Sequence, residues 1–233
     1  MSLEIETVED PARASSAMLV GALVGGADVV LTGGSTPRQV YRHLASALRD
    51  MELDSSEARV WFSDERCVPP DDDESNFKLV NDTLLAGLDG RPQPDVRRIR
   101  GELGPAEAAE AYERELVEAG EPRFEIVLLG MGPDTHIASL FPGQESLNER
   151  SRLVVGVPEA GHEPYVPRVS LTLPALANSD RVVFLVTGED KAEAVARAFG
   201  PQAKPDPAVP ASMLVPLADE VTVLLDPAAA ARL

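Results

Sequence analysis

Apolar runs just long enough to be strands recur along this chain, and between them lie stretches with the three- and four-residue apolar spacing of helices. The runs cover residues 28–32, 59–63, 124–129, 153–157, 168–171, 181–187 and 220–225. Helices are predicted over 37–49, 76–88, 105–119 and 190–199, the second carrying Leu79, Leu84, Leu85 and Leu88 on helical spacing. Strands rich in Val, Ile and Leu that alternate with helices specify an α/β fold, a mostly parallel sheet with helices on both faces. With 233 residues, 44% of them hydrophobic, the chain can bury one sizeable core, and a single domain over 1–233 is expected. Residues 200–210 read as a surface loop, and the acidic run 71–74 as a solvated turn.

Ligands of such folds bind beyond the carboxyl ends of the strands, so the segments that follow each strand are where chemistry is sought. The first is Leu31-Thr32-Gly33-Gly34-Ser35-Thr36-Pro37. Its glycines allow close backbone approach, its hydroxyls suit a cap, and Pro suits a first helical turn; together they describe an anion site at a helix N-terminus. The P-loop lysine is missing, which disfavours a nucleoside triphosphate. Gly33-x-Ser35 also resembles half of a nucleophile elbow, but Pro37 stands where the second glycine belongs. A plain capped turn would explain the same residues.

Asp64, Glu65 and Arg66 follow the second run, where they would bind sugar hydroxyls and a charge partner or form a surface ion pair of little energetic weight. After the third run comes Gly130-Met131-Gly132-Pro133-Asp134-Thr135-His136-Ile137-Ala138-Ser139-Leu140-Phe141-Pro142-Gly143. A dinucleotide fingerprint needs glycine where Thr135 stands, and Asp134 would repel a pyrophosphate. What remains is a histidine in a Gly-rich turn with an aspartate two residues before it, a pairing suited to a general base, although a lone histidine is more often structural. His43, His136 and His162 lack metal-ligand spacing, so no metal is expected. Arg168 and Lys191 flank later strands and, with residues 33–36, would complete a phosphomonoester site.

That local cluster matters because the formal charge is −18, from 21 Lys and Arg against 39 Asp and Glu. Such a field repels nucleic acid, and an anionic ligand must be held by cations placed against it. Cys67 is the single cysteine and has no partner within the chain, which points to an intracellular, disulfide-free protein. Glu4, Glu6, Glu9 and Asp10 stand where an export signal carries basic residues, and no apolar run approaches ~18 residues, so neither export nor a membrane span is expected.

In this order the segments resemble the 6-phosphogluconolactonase family, which shares its fold with glucosamine-6-phosphate deaminase. The resemblance runs from Leu31 to Pro210-Ala211-Ser212 and is most specific over 130–143, where the deaminases carry Asn and Glu in place of Leu140-Phe141. It implies a modified doubly wound α/β fold, 6-phospho-D-glucono-1,5-lactone as substrate, a place in the oxidative pentose phosphate pathway and no cofactor. By matching motif, His136 would be the base with Asp134 beside it; Gly33, Gly34, Ser35 and Thr36 would form the phosphate loop. Arg66 would face the lactone with Asp64 near the sugar, and Arg168 and Lys191 would grip the phosphate. A cytoplasmic monomer or weak homodimer is expected, with a small sugar phosphate as its only partner. Thr135 stands where the family commonly has Gly, and Ile137 where it commonly has Thr. A β-branched residue is unfavourable at φ > 0, so the turn should be rearranged or its φ ordinary. Three other activities fit parts of the same pattern: an amino-sugar-phosphate isomerase-deaminase with Asp64 as proton shuttle, a non-catalytic sugar-phosphate sensor, and a serine esterase using Ser35.

Overall fold

The structure, a computed structural model, describes residues 2–233. Seven strands form one wholly parallel sheet: β1 (Ser2–Thr7), β2 (Asp28–Leu31), β3 (Arg59–Phe62), β5 (Asp95–Val96), β6 (Phe124–Leu129), β9 (Ser179–Val186) and β10 (Glu220–Leu225). Their order is β1-β10-β9-β6-β2-β3-β5. Side chains on both sides of β2, β3, β6, β9 and β10 are buried, because the strands are runs of Val, Leu, Ile and Phe with a helix layer on each face. The remaining strands, β4 (Asp64–Arg66), β7 (Val154–Val157) and β8 (Arg168–Leu171), make a separate antiparallel sheet in the order β4-β8-β7. The runs at 153–157 and 168–171 are thus strands as predicted, but outside the main sheet. The small sheet is joined to the large one where Leu171 N–H donates to the Ser63 carbonyl, at the end of β3.

Helices α1 (Pro11–Val24) and α2 (Pro37–Asp50) pack on each other, while α4 (Pro105–Glu118) lies against β7 and β8. The predicted helix 76–88 is one helical run of changing pitch: α3 (Asn76–Val80), then a π turn over Asn81–Leu85 and a 3-10 turn over Ala86–Leu88. Short helices α5 (Leu173–Ala177), α6 (Ala192–Phe199) and α7 (Pro210–Leu214) complete the set. β1 and α1 carry no clear sequence signal: β1 is exposed along its whole length at the sheet edge, with Leu3 and Ile5 alternating with acids. No helix among the described residues is long and apolar enough to cross a membrane.

Two buried tyrosines fix the strand ends that matter for function. Tyr41 of α2 donates its hydroxyl to the Thr32 carbonyl at 2.5 Å and accepts from the Thr32 N–H at 3.0 Å, just before residues 33–36. Tyr112 of α4 brackets Phe62 in the same way, accepting its N–H at 2.8 Å. Burial pushes both phenols far above their ordinary values, so they serve as neutral clamps. The topology reverses between β2 and β6: the chain moves outward through β3 and β5 on one side, then returns to build β6, β9 and β10 on the other. Beyond the carboxyl ends of β2 and β6 lies the crevice where such a fold binds its ligand.

Candidate active site

A pocket of about 220 Å³ opens at that crevice. It is lined by Gly33, Gly34, Ser35 and Thr36 after β2, Asp64 and Arg66 of β4, His136 after β6, Arg168 of β8 and Lys191 after β9. Residues named from five separate stretches of sequence therefore converge, and Asp134 stands directly behind His136. The Nδ1 of His136 donates to Asp134 Oδ1 at 2.6 Å, and the His136 backbone N–H reaches the same oxygen at 3.2 Å. With Nδ1–H so engaged, Nε2 holds the free lone pair. Burial opposes the charge on Asp134, but the hydrogen bonds and charge of His136, aided by His162, outweigh it and hold the carboxyl below its usual value.

The turn that presents His136 is tight. Gly132 donates its N–H to the His136 carbonyl at 3.0 Å, and Thr135 N–H donates to the Gly132 carbonyl at 2.9 Å. Thr135 has φ +73°, which excludes the ordinary φ that was one of the two alternatives: this chain has a left-handed residue there despite the β-branch. The conformation is held from outside, because Ala211 N–H of α7 donates to the Thr135 carbonyl at 3.1 Å and the side chain is fully buried. Its hydroxyl has no partner, a second cost accepted at this site.

Residues 33–36 make an open loop. Gly34 has φ +107°, and a Cβ on Gly33 would lie 1.8 Å from Asn76 Oδ1, so only glycine lets Asn76 pack there. Thr36 makes no side-chain cap; its hydroxyl meets that of Thr187 at 3.2 Å, joining the β2 and β9 loops. Ser35 is exposed and has no hydrogen-bonded base, so the nucleophile elbow loses its geometric basis.

The three residues at 64–66 separate in role. Asp64 is buried; it accepts from Ser63 at 2.9 Å and Asn76 at 3.3 Å on one oxygen and from Ser139 at 2.7 Å on the other. Glu65 binds no pocket space at all: it accepts the backbone N–H groups of Arg66, Asn76 and Phe77 and the Ser75 hydroxyl, and so anchors the start of α3. Burial nevertheless raises its carboxyl above the usual value, against those three N–H donors. Arg66 gives Nη1 to the Glu74 carbonyl and lies 3.7 Å from the Glu74 carboxylate, so the acidic run 71–74 is more than a solvated turn.

Arg66 and Arg168 are register partners of β4 and β8, and the Nε of each is buried without a partner. Two adjacent guanidiniums with unmatched N–H groups call for an anion. Burial lowers both Arg168, against the pull of Asp64, and Lys191, against Asp190 and Asp134. Sequence reasoning did not single out Asn76, Thr187, Ser139 as an Asp64 ligand, or His162, whose ring lies 5.5 Å from that of His136. Burial and the Glu65 charge push the Cys67 thiol up to about 11, which leaves it an unreactive packing residue. Among the described residues no group of three His, Cys, Asp or Glu is placed to hold a metal ion.

Comparison with known proteins fits this geometry. A family model described as glucosamine-6-phosphate isomerases/6-phosphogluconolactonase matches residues 6–223. The chain is 40% identical over 215 residues to the 6-phosphogluconolactonase of Mycobacterium leprae, covering 88% of this chain and 84% of that protein. It is 39% identical over 175 residues to that of Treponema pallidum, covering 72% and 70%. The solved structure of 6-phosphogluconolactonase from Trypanosoma cruzi superposes with a TM-score of 0.83 at 26% identity, over 100% of this chain and 97% of that one.

Proposed function

The chain belongs to the glucosamine-6-phosphate isomerase/6-phosphogluconolactonase family, and from that premise we propose that it hydrolyses 6-phospho-D-glucono-1,5-lactone to 6-phospho-D-gluconate, in the oxidative pentose phosphate pathway. The observation that carries the reading is the 2.6 Å pair of His136 and Asp134 at the switch point, within the lactonase-like 130–143 segment. A δ-lactone is an activated ester, so its opening needs one proton removed from water and one oxyanion stabilised. Nε2 of His136 takes the proton as water adds to the carbonyl, and the imidazolium returns it to the ring oxygen as the C–O bond breaks. Asp134 holds the tautomer and stabilises the imidazolium, so neither a covalent intermediate nor a second base is required.

Three cations line the pocket for two negative groups, one permanent and one transient. We assign Arg168 and Lys191, with the 33–36 loop, to the phosphate, and Arg66 to the charge that develops on the carbonyl oxygen. The deaminase alternative is weakened because both oxygens of Asp64 are already engaged by protein donors, which ill suits a proton shuttle. Acid release from freshly made 6-phosphogluconolactone, corrected for spontaneous hydrolysis, tests the reading. His136→Ala should lower kcat by roughly 10²- to 10⁴-fold with little change in KM. Ammonia release from glucosamine 6-phosphate, or an inactive Ser35→Ala beside an active His136→Ala, would replace it.

A further inference from the structure

His162 enters the same pocket from the loop between β7 and β8, yet the hydrolytic mechanism leaves it without a task. Its ring centroid is 5.5 Å from that of His136, with the planes inclined at 46°. Both the ring and the backbone that carries it are fixed. Nδ1 lies 2.9 Å from the Glu163 carbonyl; a carbonyl only accepts, so Nδ1 bears the hydrogen and Nε2 of the neutral ring is an acceptor. The buried Arg168 guanidinium donates through Nη2 to the carbonyls of His162 at 3.2 Å and Pro164 at 2.9 Å, pinning the loop over the site. Both imidazoles line the one pocket, so a single ligand held there can meet both rings. With the lactone carbonyl at His136, a neutral acceptor at His162 cannot serve the carbonyl or ring oxygen, which themselves accept. Among the substrate's own groups, the nearest able to donate to it is the hydroxyl on the carbon adjoining the carbonyl.

We propose that His162 is a specificity-determining residue that accepts a hydrogen bond from the 2-hydroxyl of the lactone and so reads the substituent beside the reacting carbon. The inference rests on the lactonase reading. It requires the site to reject a substrate lacking that hydroxyl, because Nε2 is then left without its donor.

The test compares 6-phosphogluconolactone with its 2-deoxy analogue, each freshly made and each rate divided by its spontaneous hydrolysis. The wild type should prefer the 2-hydroxy lactone by about tenfold in kcat/KM. His162→Ala should lose about that factor on the 2-hydroxy lactone and little on the analogue, which collapses the preference. His162→Gln, whose amide oxygen can accept, should recover part of it. An equal loss on both lactones, or no wild-type preference, would overturn the role of His162 while leaving the lactonase intact. A wild type that opens neither lactone faster than water does would remove the lactonase reading and this inference together.

Discussion

Gly132 shows how little room the turn that presents His136 leaves at the level of single atoms. A Cβ there would lie 2.1 Å from His136 Nδ1 and 2.5 Å from Asp134 Oδ1, so the ring rests on the bare glycine backbone. Gly132→Ala should therefore displace the imidazole and lower kcat by roughly 10²-fold or more, with KM nearly unchanged, in the same lactone assay. Unaltered kcat would mean that the ring position is not what the turn provides. Lys191 makes the opposite trade. A lysine held below its unfolded value by burial costs stability while charged, at pH below the folded value, and that cost fades as pH rises through it. Lys191→Met should thus keep or raise Tm at neutral pH while kcat/KM falls about tenfold, a pairing that calorimetry and kinetics check together. A fall in both would make Lys191 a structural residue.

At the scale of elements, the start of α3 is where local reading fell short. The sequence places Asp64, Glu65 and Arg66 at a strand end, and residue types alone suggest hydroxyl binding or a surface ion pair. Only packing shows that Glu65 turns away from the ligand to cap α3, and that this cap sets Asn76 against Gly33 and Asp64. Glu65→Ala would leave three backbone N–H groups without an acceptor, costing roughly 3 kcal/mol or more. The expected result is a Tm lower by about 6–12 °C and weaker substrate binding, since the 33–36 loop loses the side chain that shapes it. An unchanged Tm would show that water replaces the carboxylate without loss. The turn at Thr135 follows the same logic: a left-handed β-branched residue persists because the N-terminus of α7, more than seventy residues later, holds its carbonyl.

On the scale of the whole molecule, a chain of net charge −18 gathers three cations into one crevice at the reversal of its parallel sheet. Dialysis against a chelator should leave lactone hydrolysis unchanged, because the proposed route draws its base and its charge stabilisation from side chains. Activity lost to the chelator and restored by one divalent ion would overturn that route. Seven of the ten strands among the described residues, helices α2, α3, α4 and α6, the parallel α/β class and the Gly-rich segment around His136 were legible in the sequence, because periodicity and turn chemistry are local and repeat within a few residues. Tertiary structure alone decided that 153–157 and 168–171 form a separate antiparallel sheet, that Arg66 pairs with Arg168, that Glu65 leaves the site and that His162 joins it. Strand register and loop placement arise from contacts between distant segments, and such contacts leave no period in the sequence.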